Sequence, residues 1–192
     1  MLVPTEVCME STRDDVGGGA ACPLWLTGVW KQDKSRSESL APFLAGLMPA
    51  YLSRIAGPLA DNLSVTLRIA CLSPDQLEIV DKTALGRNAT RVTLDGSEHE
   101  RATRNGRKRF MLSGEMTEAG QTSVIRCRLF QRGEGWETRM ERSLSSGDPR
   151  VLVEKNILER PGHEPVVIRR YFNKTDEDVQ AQVKVDDVTG HG

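Results

Sequence analysis

The residue types in this chain best suited to chemistry are arginines on extended segments. Arg142 lies two residues beyond Met140, with Thr138 and Trp136 continuing the same parity, and Arg169 and Tyr171 are again two apart. On an extended backbone, residues i and i+2 share a face, so each set points to one side of its strand. A guanidinium presents a planar fork that matches a carboxylate, and the charge-assisted bond is strong and oriented where water is excluded. Tyrosine adds a neutral donor. Two arginines turned inward with no acid nearby are costly to bury, so such an interior should hold ordered water or an anionic head group. On a solvated strand the same side chains merely face water. Parity decides between these outcomes: a slip of one residue turns Arg170 and Phe172 inward in place of Arg169 and Tyr171.

Other chemistries find little footing. The sequence offers no Ser-His-Asp order and no Gly-rich phosphate loop, and His99, His163 and His191 are dispersed, so neither a general base nor a metal site is expected. Cys8, Cys22, Cys71 and Cys127 lack a paired or ligand-like spacing. Read as reduced thiols, they suggest a cytoplasmic protein. The run from Arg101 to Arg109 is rich in arginine and lysine and flanks the Asn105-Gly106 turn. A hairpin tip of this kind could touch nucleic-acid phosphates, but it has no stacking aromatics beside it and reads more simply as a solvated turn.

Charge and size narrow the field further. The 26 basic and 27 acidic residues nearly cancel, so no global field draws the chain to a polyanion, and 192 residues suit one core rather than two. Only 38% of residues are hydrophobic, which implies tails, a partly polar interior, or both. Residues 1–22 and 175–192 read as flexible tails around a single domain at 23–174. No basic stretch followed by an apolar run opens the chain, and no segment approaches the roughly 20 apolar residues of a membrane span.

Within the domain, Leu26 to Lys31 reads as an opening strand. Leu40, Phe43, Leu44, Leu47 and Met48 then recur at helical spacing, with Ser35 or Ser39 available as a cap and Pro49 as a break. Leu52, Ile55, Ala56 and Leu59 repeat the pattern until Gly57-Pro58 weakens it, giving two short helices packed as a hairpin. From Leu63 the period changes to two: Val65, Leu67, Ile69 and Cys71 alternate with Thr66, Arg68 and Ala70. Turn signals at 73–75, 86–88, 95–96, 105–106, 118–120, 133–135, 146–149 and 161–162 divide the rest into hairpin-linked strands, about ten in all. Such a meander removes its exposed edges by closing into a barrel, although an open sheet or sandwich has a similar strand count.

One strand, two short helices and nine hairpin-linked strands resemble the intracellular fatty-acid-binding proteins of the calycin superfamily. Gly28-Val29-Trp30-Lys31 is similar to that family's opening Gly-x-Trp-Lys, Arg54-Ile55-Ala56-Gly57 falls where its second helix ends, and Asn88-Ala89-Thr90 leads into its fourth strand. Arg107-Lys108 follows the Asn-Gly turn as a similar pair does there. Gln32 and Ser37-Glu38-Ser39 depart from the family pattern. The resemblance, from about Gly28 to Lys174, implies an all-β, ten-stranded antiparallel up-and-down barrel with a two-helix lid after the first strand. It also implies a carboxylate site at Arg142, Arg169 and Tyr171, with Arg139 and Glu141 facing outward. The ligand chain would lie along Val65, Leu67, Ile69, Phe110 and Met140, beneath a lid formed by Phe43, Leu47, Leu52 and Ile55.

The expectation is therefore reversible binding and cytoplasmic carriage of a fatty acid or similar apolar carboxylate by a monomer. No cofactor, metal or nucleic-acid partner is expected, and contact with a membrane surface would be transient. The alternatives are a calycin-type isomerase or oxidoreductase and, further off, an RNA-binding barrel using residues 101–109.

Overall fold

The computed structural model describes residues 22–102, 109–116, 122–129 and 136–176. Ten antiparallel strands form one curled sheet: β1 (Gly28–Asp33), β2 (Thr66–Ser73), β3 (Gln76–Thr83), β4 (Gly86–Thr93), β5 (His99–Ala102), β6 (Arg109–Met116), β7 (Thr122–Leu129), β8 (Glu137–Ser145), β9 (Asp148–Glu159) and β10 (Val166–Lys174). Two helices, α1 (Ala41–Leu47) and α2 (Ala50–Asn62), stand between β1 and β2. Every strand pairs with its neighbour in the chain except across one step, and β1 pairs with β10, giving the order β4-β3-β2-β1-β10-β9-β8-β7-β6-β5. This is the up-and-down barrel expected from the turn signals.

Hydrogen-bonded closure is incomplete. β4 and β5 end the order, and among the described residues no ladder joins them. The barrel instead narrows where β6 passes behind β4: a Cβ on Gly114 would collide with Val92 and lie 2.8 Å from the Thr93 carbonyl oxygen, so only glycine permits the approach. Gly96, at positive φ in the Asp95-Gly96 turn, donates to the Gly114 carbonyl at 2.8 Å.

The interior is packed at one end. Trp30, Leu67, Ile69, Leu77, Leu152 and Phe172 are fully buried in one cluster with Leu26. A 3₁₀ turn, Leu24–Leu26, brings the chain beneath this end, and Trp30 Nε1 donates to the Leu26 carbonyl at 2.9 Å. The same turn sets Cys22 beside β2, where it forms a disulfide with Cys71 at a Cα separation of 6.0 Å. This corrects the reading of all four cysteines as reduced thiols and removes the ground for placing the chain in the cytosol. Spacing concealed the pair because its members stand 49 positions apart, with both helices between them. Cys8 and the basic turn at 103–108 lie outside the described residues.

The helices also depart from expectation. α2 runs through Gly57-Pro58 to Asn62. Gly57 is the point where α1 comes closest: a Cβ there would lie 2.8 Å from Ala41 Cβ. Close approach selects small residues, so Ser53 and Gly57 face inward and rotate the apolar stripe away. Leu52 and Ile55, expected to plug the barrel, are exposed, Ile55 at 70%. Only α1 carries lid residues over the interior, Phe43 and Leu47. Its start is tied down by Asp61, which accepts from the Leu40 amide at 2.7 Å, and by Ser39, which accepts from the Ala41 amide at 3.1 Å. No helix among the described residues is long and apolar enough to cross a membrane.

Candidate functional site

The other end of the interior holds a cavity of about 380 Å³, within the size range of small-molecule sites. Phe43 and Leu47 of α1 cover it, and Ile79, Val92, Phe110, Leu112 and Met140 form apolar walls. Asp81, Asn88, Thr90, Thr138, Arg139, Arg142 and Asn156 supply its polar atoms. A larger cleft of about 910 Å³ opens along β4 toward Arg101 and shares Asn88, Thr90, Val92, Phe110 and Leu112 with the cavity.

The polar floor is built by lateral register. Arg142 on β8 pairs with Glu154 on β9, which pairs in turn with Arg170 on β10, so three inward side chains stand abreast. Glu154 Oε2 accepts from Arg142 Nε at 3.0 Å and lies 2.8 Å from Arg142 Nη2. Glu154 Oε1 accepts from Asn156 Nδ2 at 3.0 Å and from Arg170 Nη1 at 3.3 Å. Arg170 Nη2 donates to Gln32 Oε1 at 3.3 Å. Arg142 and Glu154 are 2% and 1% exposed and Arg170 is 11% exposed, so this is a desolvated network. Two of its donors, Arg142 Nη1 and Arg170 Nε, are buried without a hydrogen-bond partner.

Two acids feel this network in opposite ways. Burial alone would push the Glu154 carboxyl up, but Arg142 and Arg170, with the Asn156 hydrogen bond, outweigh it and hold Glu154 below its ordinary range. Asp81 pairs with Leu67 on one side and with Asn88 on the other. Burial raises its carboxyl and Glu154 adds to the rise, more than Arg142, Arg170 and the Asn88 hydrogen bond offset.

Of the residues expected to hold a head group, the structure brings Arg142 to the floor but places Arg169 and Tyr171 outside. The parity of β10 is set by Ile168 and Phe172, which are buried, and Arg170 lies between them. Arg169 is 50% exposed with its Nη1 3.8 Å from Glu38, and its backbone exchanges hydrogen bonds with that residue. The Tyr171 ring lies under Arg36, 4.6 Å from centroid to guanidinium. Both residues latch the segment between β1 and α1 to the barrel wall. The inward partner at the Arg-x-Tyr spacing is therefore Phe172, which has no hydroxyl. Of the expected chain-lining residues, Phe110 and Met140 border the cavity, whereas Val65, Leu67 and Ile69 belong to the packed core. Arg139 and Glu141, both expected to face outward, pair with each other at 3.0 Å, and Arg139 also borders the cavity.

Sequence reasoning missed Glu154, Asn156 and Asp81, and held Arg170 only as the alternative to Arg169 in a strand slipped by one residue. Glu154 left one signal, an acid that with Lys155 and Asn156 interrupts the apolar stretches Val151-Leu152-Val153 and Ile157-Leu158, where an inward position demands a cationic partner.

Ten strands in this order, with a helical hairpin after the first and a cavity beneath it, define the fatty-acid-binding-protein fold. Solved structures agree. The chain is similar to a Schistosoma mansoni fatty acid binding protein in complex with arachidonic acid, with a TM-score of 0.60 and 12% identity, covering 83% of this chain and 100% of that one. It is similar to Echinococcus granulosus fatty-acid-binding protein 1, with a TM-score of 0.58 and 13% identity over 79% of this chain and 98% of that one. It is also similar to As-p18, an extracellular fatty acid binding protein, with a TM-score of 0.57 and 16% identity over 79% and 96%. No family model matches the sequence, and no curated protein matches it significantly. At these identities the likeness is one of fold.

Proposed function

We propose that this protein reversibly binds a small, elongated lipid inside the barrel and carries it, without covalent chemistry. The observation that carries this reading is the cavity beneath α1, apolar along Ile79, Phe110 and Met140 and ending on the buried Arg142 network. An apolar wall closed by a few convergent polar groups is the usual form of a small-molecule site. The structural neighbours support it, since their names describe fatty-acid binding. The head site drawn on Arg142, Arg169 and Tyr171 is redrawn on Arg142, Arg170, Glu154 and Asp81. The exposed stripe Tyr51, Leu52, Ile55 and Leu59 on α2 suits transient contact with a membrane surface during delivery. The Cys22–Cys71 disulfide favours an oxidising compartment for this carriage.

The test is titration of the full chain with a polarity-sensitive fluorescent dye, followed by displacement with long-chain lipids. Saturable one-to-one binding of the dye and its competitive displacement are expected. Absence of saturable binding by either dye or lipid overturns the proposal.

A further inference from the structure

The two inward arginines already have a carboxylate, and it belongs to the protein. Glu154 receives three guanidinium nitrogens, two from Arg142 and one from Arg170, together with the Asn156 amide. It therefore sits between the two cations that would otherwise grip a ligand carboxylate from both sides. Asp81 lines the cavity with Arg142, so together with Glu154 and Arg170 packed against Arg142 this network holds two guanidinium groups and two carboxyl groups. Ionised, these four balance. A ligand carboxylate would bring a third acid into a desolvated site whose remaining cation, Arg139, already faces Glu141 at 3.0 Å and Glu159 at 3.6 Å.

Hydrogen-bonding capacity nevertheless remains. Arg142, 98% buried, leaves Nη1 unpartnered, and Arg142 borders the cavity together with Asp81 and Asn156. An unpaired buried donor on a charged group calls for an acceptor, and the carboxyl of Asp81 calls for a donor. One uncharged group that both accepts and donates answers the two together. Phe172, at the inward position beside Arg170, adds no hydroxyl to the donors.

We infer that the cavity selects lipids with an uncharged hydroxyl or amide head over fatty acids, with Glu154 acting as a built-in carboxylate that excludes a charged one. This rests on the lipid-binding reading above and names the class of ligand. The head's oxygen accepts from Arg142 Nη1 and its O–H or N–H donates to Asp81, while the chain runs along Met140, Phe110 and Ile79 toward α1.

The experiment compares palmitic acid, palmityl alcohol and palmitamide as displacers of the same dye from the full chain near neutral pH. The alcohol and the amide are expected to bind at least about ten-fold more tightly than the acid, the effect of one uncompensated polar mismatch in a buried site. Glu154→Gln keeps the volume, removes the internal anion and should reverse the order, with the acid gaining about ten-fold or more. Equal or tighter binding of the acid by the wild-type chain overturns the inference and leaves lipid binding intact. Failure of all three to displace the dye or to bind overturns both. Should Glu154→Gln not fold, the wild-type order alone decides.

Discussion

The two ends of the barrel interior come from the same alternation of residues and reach opposite solutions. At the end near Trp30, inward positions on β1, β2, β3, β9 and β10 carry Trp30, Leu67, Ile69, Leu77, Leu152 and Phe172, which fill the space and exclude water. A few residues along β8, β9 and β10 the inward positions become Arg142, Glu154, Asn156 and Arg170, and a cavity is left open beside them. The first end stabilises by burial, each large apolar side chain contributing about 1.5–3 kcal/mol. The second costs desolvation that its ion pairs only offset, so stability does not explain its presence. The contrast separates what folds the chain from what it holds.

Breaking the polar end in half should have the largest effect. Glu154→Ala leaves Arg142 and Arg170 buried without their anion, and a loss of about 3–5 kcal/mol is expected in chemical denaturation. Truncation of Leu67 to Ala at the packed end should cost about 2–5 kcal/mol through a cavity. The two differ in rescue: Glu154→Gln should recover part of the loss, whereas no polar substitution at Leu67 should. Next is the disulfide beneath the packed end. Reduction, or Cys71→Ser, releases a long loop containing β1 and both helices and is expected to cost about 2–4 kcal/mol, seen as a lower Tm in reductant.

The smallest effect has a sign that depends on pH. The Asp81 carboxyl is raised by burial, so the folded chain holds its proton more tightly than the unfolded chain. Stability from this group therefore falls as pH rises from the ordinary aspartate range through the raised value. Asp81→Asn should stabilise the protein by no more than about 1 kcal/mol near neutral pH, or roughly 2–4 °C in Tm. The gain should vanish in acid below the ordinary aspartate range.

Much of this was legible in the sequence, and the failures share one cause. The count of strands, the helical pair and the inward turn of Arg142 followed from alternation between sharp turn signals, which is strong where one face is polar. β10 reads Val166-Val167-Ile168-Arg169-Arg170-Tyr171-Phe172, with apolar and cationic residues on both parities, so nothing local distinguishes the pair 169/171 from 170/172. Packing of Ile168 and Phe172 into the core decides it. β9 hides Glu154 in the same way, since Leu152 and Leu158 face one side and Val151 and Ile157 the other, and all four are buried. In α2 the apolar period was visible but its direction was not, because the helix contact is chosen by Ser53 and Gly57 rather than by Leu52 and Ile55. The disulfide depends on where the Leu24–Leu26 turn docks, which is a tertiary fact.

The central claim is that a ligand's head meets the inward row of β8 to β10 and not its outward row. The most direct measurement is lipid affinity, by dye displacement, of Arg142→Met beside Arg169→Met, two substitutions of one chemistry on opposite faces of the wall. Arg142→Met should weaken binding about ten-fold or more, and Arg169→Met should leave it within about two-fold. Weakened binding in Arg169→Met with Arg142→Met unchanged would contradict the account.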